Sequence, residues 1–210
     1  MGILIIKKYF FSLLCFLLIS LSLLTSCNQA SAEPDVYHNL STAALSLTKD
    51  RVVYDPAYFR IPYPNGDVPA DKGVCTDVVI RAYRKLGIDL QKEVHLDMKA
   101  NFSKYPKIWG RSTTDTNIDH RRVPNLMTFF SRKGVVKKIS SNPNDYIPGD
   151  IVCWNLYGGV NHIGIVVDKK STSGERYMIV HNIGSGQKLE DMLFDYKIIG
   201  HYRFGDDRIK

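Results

Sequence analysis

The chain has 210 residues, 44% apolar and 23% charged, with 28 basic against 21 acidic side chains and a formal net charge of +7. That balance excludes a disordered or fibrous chain, and the length suits one ordinary domain with a sizeable core. No internal repeat or long polar tract marks a second domain.

The first 26 residues stand apart. Lys7 and Lys8 precede an apolar run from Tyr9 to Leu24 that closes on Thr25 and Ser26, the pattern of a secretory signal. A retained membrane helix is the alternative, but the run is shorter than the roughly 20 apolar residues of a span and holds several serines. Leu24-Thr25-Ser26-Cys27 resembles a bacterial lipobox, which implies lipidation of Cys27 and a chain tethered to a membrane without spanning it. Asn28, where aspartate would be the inner-membrane mark, implies by the same resemblance the periplasmic face of the outer membrane. Loss of Lys7 and Lys8 leaves 26 basic and 21 acidic side chains, a formal +5. An exported chain with so mild an excess is not expected to bind nucleic acid; anionic wall polymers, lipid headgroups or plain solvation account for it. The expected division is a signal over 1–26, a tether over 27–37 and a single domain over 38–210.

Within that domain, Leu40, Ala43, Ala44 and Leu47 give a weak first helical pattern. The stretch VVYDPAYFRIPYPNGDVPADKG is too rich in proline and glycine for a long regular element and reads as an aromatic loop. From Cys75 onward Val78, Val79, Ala82, Tyr83 and Leu86 recur at helical spacing, with Arg81, Arg84 and Lys85 on the other side and Gly87 as a stop. Further helices are predicted over about 90–102 and after Pro124, with the polar WGRSTTDTNIDHRR between them as loop. The second half changes period. IVCWNL, HIGIVVD, RYMIVHNI and KIIGHYRF are short, β-branched and aromatic, separated by turn-forming GG, KKSTSGE and GSGQ. Helices followed by an antiparallel sheet give an α+β fold.

Cys75 sits where a helix N-terminus favours a thiolate, although Asp77 in the same turn opposes it. A nearby imidazole is therefore needed. His162 opens one predicted strand, positioned to face the helix that carries the thiol, accept its proton and return it to a leaving amine. His181, in the next strand, can orient His162; Asn182 offers the same service, but alternation sends the two to opposite faces. Cys75 and Cys153 are also open to a disulfide in an exported chain, while Cys153 in an apolar strand reads most simply as a small hydrophobe. A zinc site from Cys75, His162 and His181 has suitable ligand types but no paired spacing. His38, His95 and His201 read as surface or structural residues.

The ordered motifs, a helix-start cysteine, then PGDIVCWN, HIGIVVD and MIVHNI, resemble the NlpC-type cell-wall cysteine peptidases of the papain-like superfamily over roughly residues 50–205. The closest resemblance is to a bacterial subfamily carrying GVCTDVVIRAYR. The resemblance implies a papain-like fold without cofactor, a Cys75–His162–His181 triad and peptidoglycan stem peptides as substrate. It also implies that Tyr63, in YPNGD, lines the cleft. Tyr63 is the first choice and Tyr54 the second for an oxyanion donor beside the Cys75 backbone N–H. Where the peptidases have an aspartate before the cysteine and a serine after it, this chain has Val74 and Thr76; the Thr76 hydroxyl can replace that of the serine. Arg121 and Arg122 in DHRRVPN suit stem-peptide carboxylates, or belong with Asp119 and His120 to a solvated turn before a helix. A monomer is expected. The alternatives to an amide hydrolase are a wall-binding lipoprotein that has lost turnover and a thiol acyltransferase.

Overall fold

The computed structural model describes residues 35–205; the signal, Cys27 and most of the tether lie outside the described residues. Helix α1, Val36–Leu47, begins inside the segment read as tether, because the Asp35 carboxylate accepts the Tyr37 N–H and caps it there. Strands β1, Val53–Tyr54, and β2, Lys72–Gly73, close the aromatic loop as a two-residue parallel pair. Helices α2, Cys75–Lys85, α3, Leu90–Ala100, and α4, Val123–Lys133, follow as the apolar spacing predicts. The loop between α3 and α4 carries only single 3-10 turns, at Phe102–Lys104 and Asp119–Arg121.

The remaining strands are β3, Val135–Val136, β4, Ile151–Asn155, β5, Asn161–Lys170, β6, Tyr177–Asn182, β7, Gln187–Glu190, and β8, Lys197–Arg203. They form one antiparallel sheet in the order β3-β8-β4-β5-β6-β7. The fold is thus α+β, with helices packed on a sheet. Strand β7 is absent from the sequence reading because QKLE is short, polar and on the sheet edge.

Strand alternation sends apolar side chains to both faces. Ile151, Cys153, Ile163, Ile165, Val167 and Val180 meet Leu40, Ala44, Val78, Val79 and Ala82 of α1 and α2 in the main core. Each buried Val, Leu or Ile contributes about 1.5–3 kcal/mol over its exposed state, so this layer fixes α2 against β5. Val152, Trp154, Val166 and Ile179 point the other way, under Tyr146, Met192 and Leu193. Trp154 Nε1 donates to the Leu193 carbonyl at 2.9 Å, satisfying the one polar atom of the indole there.

Candidate active site

Cys75 is the first residue of α2, and its cap, Val74, has no side-chain acceptor. Asp77 supplies what is missing. Its Oδ2 accepts the Val74 N–H at 2.7 Å, and its two oxygens take the Arg121 guanidinium through Nε at 2.9 Å and Nη2 at 3.0 Å. Arg121 Nη1 donates to the Ala57 carbonyl at 3.0 Å, and Thr76 Oγ1 donates to the Arg121 carbonyl at 3.2 Å. The turn that carries the thiol is therefore tied to two distant segments. This corrects two sequence expectations: Arg121, whose side chain is 1% exposed, and Thr76, fully buried, have their polar groups committed to the turn, and neither presents a free group to a substrate.

Burial pushes the Cys75 thiol up to about 12; the Ile163 N–H pulls against it, Asp77 adds to it, and the N–H groups of Thr76 and Cys75 itself oppose it. The sulfur thus meets β5 at the backbone of Ile163, one residue after His162. Cys75 and Cys153 are both free and buried, so the disulfide that the sequence left open is not formed. Burial raises the Cys153 thiol well above its ordinary value, and the nearby Cys75 adds to the effect.

His162 is paired across the sheet with Trp154, its ring 5.9 Å from the indole. It therefore lies on the Trp154 face of β5, whereas Ile163 lies on the helical face. The expectation that His162 faces the helix is corrected by this alternation: thiol and imidazole reach the start of β5 from its two sides. His162 Nε2 and His181 Nδ1 are 2.9 Å apart, and His181 Nε2 lies 2.9 Å from Glu190 Oε2. Gly164 makes room for this chain, since a Cβ there would fall 2.7 Å from Ile179 Cγ2 and 3.1 Å from His181 Cβ. Asn182, on the opposite face as alternation predicts, donates from Nδ2 to the Gly73 carbonyl at 3.2 Å.

The hydrogen-bond chain has a direction. A carboxylate only accepts, so His181 Nε2 donates to Glu190, which leaves His181 Nδ1 as acceptor for His162 Nε2–H. The lone pair of His162 then sits on Nδ1, the nitrogen left able to accept a proton. Burial lowers His162 to about 3, with His181 adding to the effect, so the imidazole is neutral and able to take a proton. Burial also lowers His181, while Glu190 raises it. Glu190 was missed in the sequence because its role depends on the β6–β7 register, which pairs His181 with Lys188 and brings Glu190 within reach.

A cleft of about 320 Å³ opens on Cys75, lined among others by Tyr54, Val74, Trp109, Arg122 and Asn161. Tyr54 reaches it because β1 pairs with β2 two residues before Cys75. Burial raises the Tyr54 phenol, the nearby Cys75 and Asp77 add to the effect, and Arg121 opposes it. Tyr63 lies elsewhere. Its ring packs edge-on against His95 at 5.1 Å, and its charged neighbours are Asp89 and Glu93 of the α3 start. The order of the two tyrosines is thus reversed, with Tyr54 the one beside the thiol. Arg122 lines the cleft, its guanidinium 4.1 Å over the Trp109 ring. Among the described residues no group of three His, Cys, Asp or Glu is placed to hold a metal ion, so Cys75, His162 and His181 do not form one.

Residues 41–204 match the family described as a domain of unknown function, DUF1287. Over 151 residues the chain is 53% identical to the uncharacterized protein YijF of Escherichia coli, covering 72% of this chain and 73% of that one. Among solved structures it is similar to NlpC1 from Trichomonas vaginalis, with a TM-score of 0.42 and 15% identity over 80% of this chain; it spans 44% of that protein's length. An N-acetylmuramoyl-L-alanine amidase from Bacteroides uniformis gives a TM-score of 0.47 and 13% identity over 81% of this chain and 99% of that one. With a match over most of its length and a relative of this identity, the chain belongs to the DUF1287 family.

Proposed function

We propose that the protein is an amide hydrolase that cuts peptide stems of the bacterial cell wall, with Cys75 as nucleophile and His162 as base. The observation that carries this reading is the imidazole chain, which ends on His162, the residue directly before Ile163, whose backbone N–H the thiol meets. The wall as substrate rests on the motif resemblance and on the expected export.

In this mechanism the Cys75 S–H proton passes around the start of β5 to His162 Nδ1, directly or through one water, as the sulfur bonds to the amide carbon. The resulting oxyanion is held by the Cys75 N–H and the Tyr54 hydroxyl, donors of a kind that contribute a few kcal/mol to the transition state. His162 then gives its proton to the departing amine, and a water deprotonated by the same nitrogen hydrolyses the thioester. His181 holds the imidazole in the right tautomer, and Glu190 does the same for His181. With the thiol near 12 and His162 near 3, the resting pair is neutral, so proton transfer accompanies attack and does not precede it.

One observation favours a second reading. The thiol is buried and faces the Ile163 backbone, an arrangement that also suits a wall-binding protein without turnover. Incubation with purified muropeptides decides between them. Wild type is expected to release new amines, and Cys75→Ala to release none while staying folded and bound to the peptides. Tight binding without release by the wild type would leave the binding reading standing, and mass spectra of the products identify the bond.

We also propose that the mature chain is a monomer anchored through lipid on Cys27 at the periplasmic face of the outer membrane. Palmitate labelling that disappears in Cys27→Ala is the expected result; an unlabelled, soluble periplasmic product would refute the anchor.

A further inference from the structure

Two adjacent arginines border the cysteine cleft, and their surroundings differ. Arg121 spends its guanidinium on Asp77 and on the Ala57 carbonyl. Arg122 makes one contact, from Nη1 to Asp119 Oδ1 at 3.4 Å, longer than the 2.7–2.9 Å usual for a charge-assisted bond. The rest of its planar group lies 4.1 Å over Trp109 and borders the cleft. Stacking fixes the plane of a guanidinium while leaving its edge donors for a ligand.

The lining around it sharpens the point. Among the described residues lining this cleft none is acidic; the charged ones are the two arginines, and the others are Cys75, Tyr54, Asn161 and apolar or indole side chains such as Val74. Val74, directly before the nucleophile, is 8% exposed and carries no charge. An ammonium group brought here would lose water, meet the Arg122 guanidinium and find no carboxylate among the lining side chains. A carboxylate would find Arg122 already oriented.

We infer that the Trp109–Arg122 pair is the specificity site of the cleft, selecting peptides whose amine is blocked by acylation and which carry a free carboxylate next to the amide that is cut. The inference rests on the hydrolase reading above for the location of that amide. It makes peptides still joined at their N-terminus to a larger polymer the preferred substrates, and free-amine fragments poor ones.

The test uses three peptide amides, alike except for one group each: N-acylated with a carboxylate, N-acylated with a carboxamide in its place, and free-amine with the carboxylate. Amine release gives kcat/KM, and calorimetry on the wild type and on Cys75→Ala gives Kd. The first peptide is expected to exceed each of the others by about tenfold or more, the usual scale of a hydrogen bond to a charged group. Arg122→Gln is expected to bring the carboxylate-to-carboxamide ratio close to one, Arg122→Lys to restore part of it, and Trp109→Leu to lower it. Equal cleavage of carboxylate and carboxamide by the wild type overturns the inference, as does a ratio that Arg122→Gln leaves unchanged. If the wild type cuts none of the three but binds them with the same preference, the hydrolase reading fails and the specificity site stands. If it neither cuts nor binds them, both fail.

Discussion

The sheet carries two carboxylate–histidine networks, and they end differently. In the first, Asp150 is fully buried and accepts from Arg203 Nε at 2.7 Å, His201 Nε2 at 2.8 Å and the Ile147 N–H at 3.0 Å. The other His201 nitrogen faces the Lys138 carbonyl at 3.2 Å, and Tyr146 stacks on the ring at 4.3 Å. Both ring nitrogens of that imidazole are engaged. In the second, Glu190 and His181 engage only one nitrogen of His162 and leave the other uncommitted. A histidine with both nitrogens engaged is a brace; one with a single nitrogen held is oriented and keeps a lone pair free, as the proposed base requires.

The comparison predicts opposite phenotypes. His162→Gln is expected to lower turnover by roughly 10²–10⁴-fold, the range of general acid–base catalysis, with little change in unfolding temperature. Asp150→Asn should do the reverse, costing about 3–5 kcal/mol by leaving Arg203 without its buried partner while Cys75, His162 and His181 are untouched. Denaturant melts paired with amine-release assays check both, and a His162 variant that mainly unfolds would erase the distinction.

Glu190→Gln tests the outer end of the oriented chain. Glu190 is 41% exposed, so the effect should be smaller than for a buried orienting carboxylate, roughly tenfold in kcat with KM unchanged. Imidazole ¹⁵N shifts should show the His162 proton spreading to both nitrogens. A loss of rate with the tautomer intact would assign Glu190 to packing instead.

The smallest effect per step is that of pH. Burial holds His120 and His162 at about 3, below the ordinary 6.5, and lowers His181 in the same direction. The unfolded chain therefore takes up protons before the folded one. Stability should be constant from about 6.5 to about 8, where the thiols of the unfolded chain begin to ionise, and fall as pH drops from 6.5 toward 3, by up to about 1.4 kcal/mol per pH unit for each such histidine. Urea midpoints between these limits measure the slope, and His120→Gln should flatten it without touching the catalytic chain.

Local patterns made much of the fold legible. The stripe through Val78, Val79 and Ala82 placed α2, and four β-branched runs placed β4, β5, β6 and β8. Alternation also separated His181 from Asn182 correctly. What remained hidden depends on pairing between distant residues. Arg121 and Arg122 are equivalent in sequence, and only the fold commits one to Asp77 and leaves the other on Trp109. Tyr63 has the spacing of a cleft tyrosine, but its loop carries it to His95, and the β1–β2 pairing brings Tyr54 instead. Glu190 sits in an edge strand with no apolar pattern to announce it.

The Asp77–Arg121–Ala57 bridge has a consequence for the order in which the molecule acquires its chemistry. A chain emerging from its N-terminus contains Cys75 and Asp77 long before Arg121 exists, and the imidazoles and Glu190 come later still. Val74 gives α2 no cap of its own, so the nascent Cys75 turn lacks the clamp that would hold it. The surroundings of the thiol are therefore assembled last, as a property of the completed fold, and an unfinished or truncated chain carries Cys75 without the groups that position it.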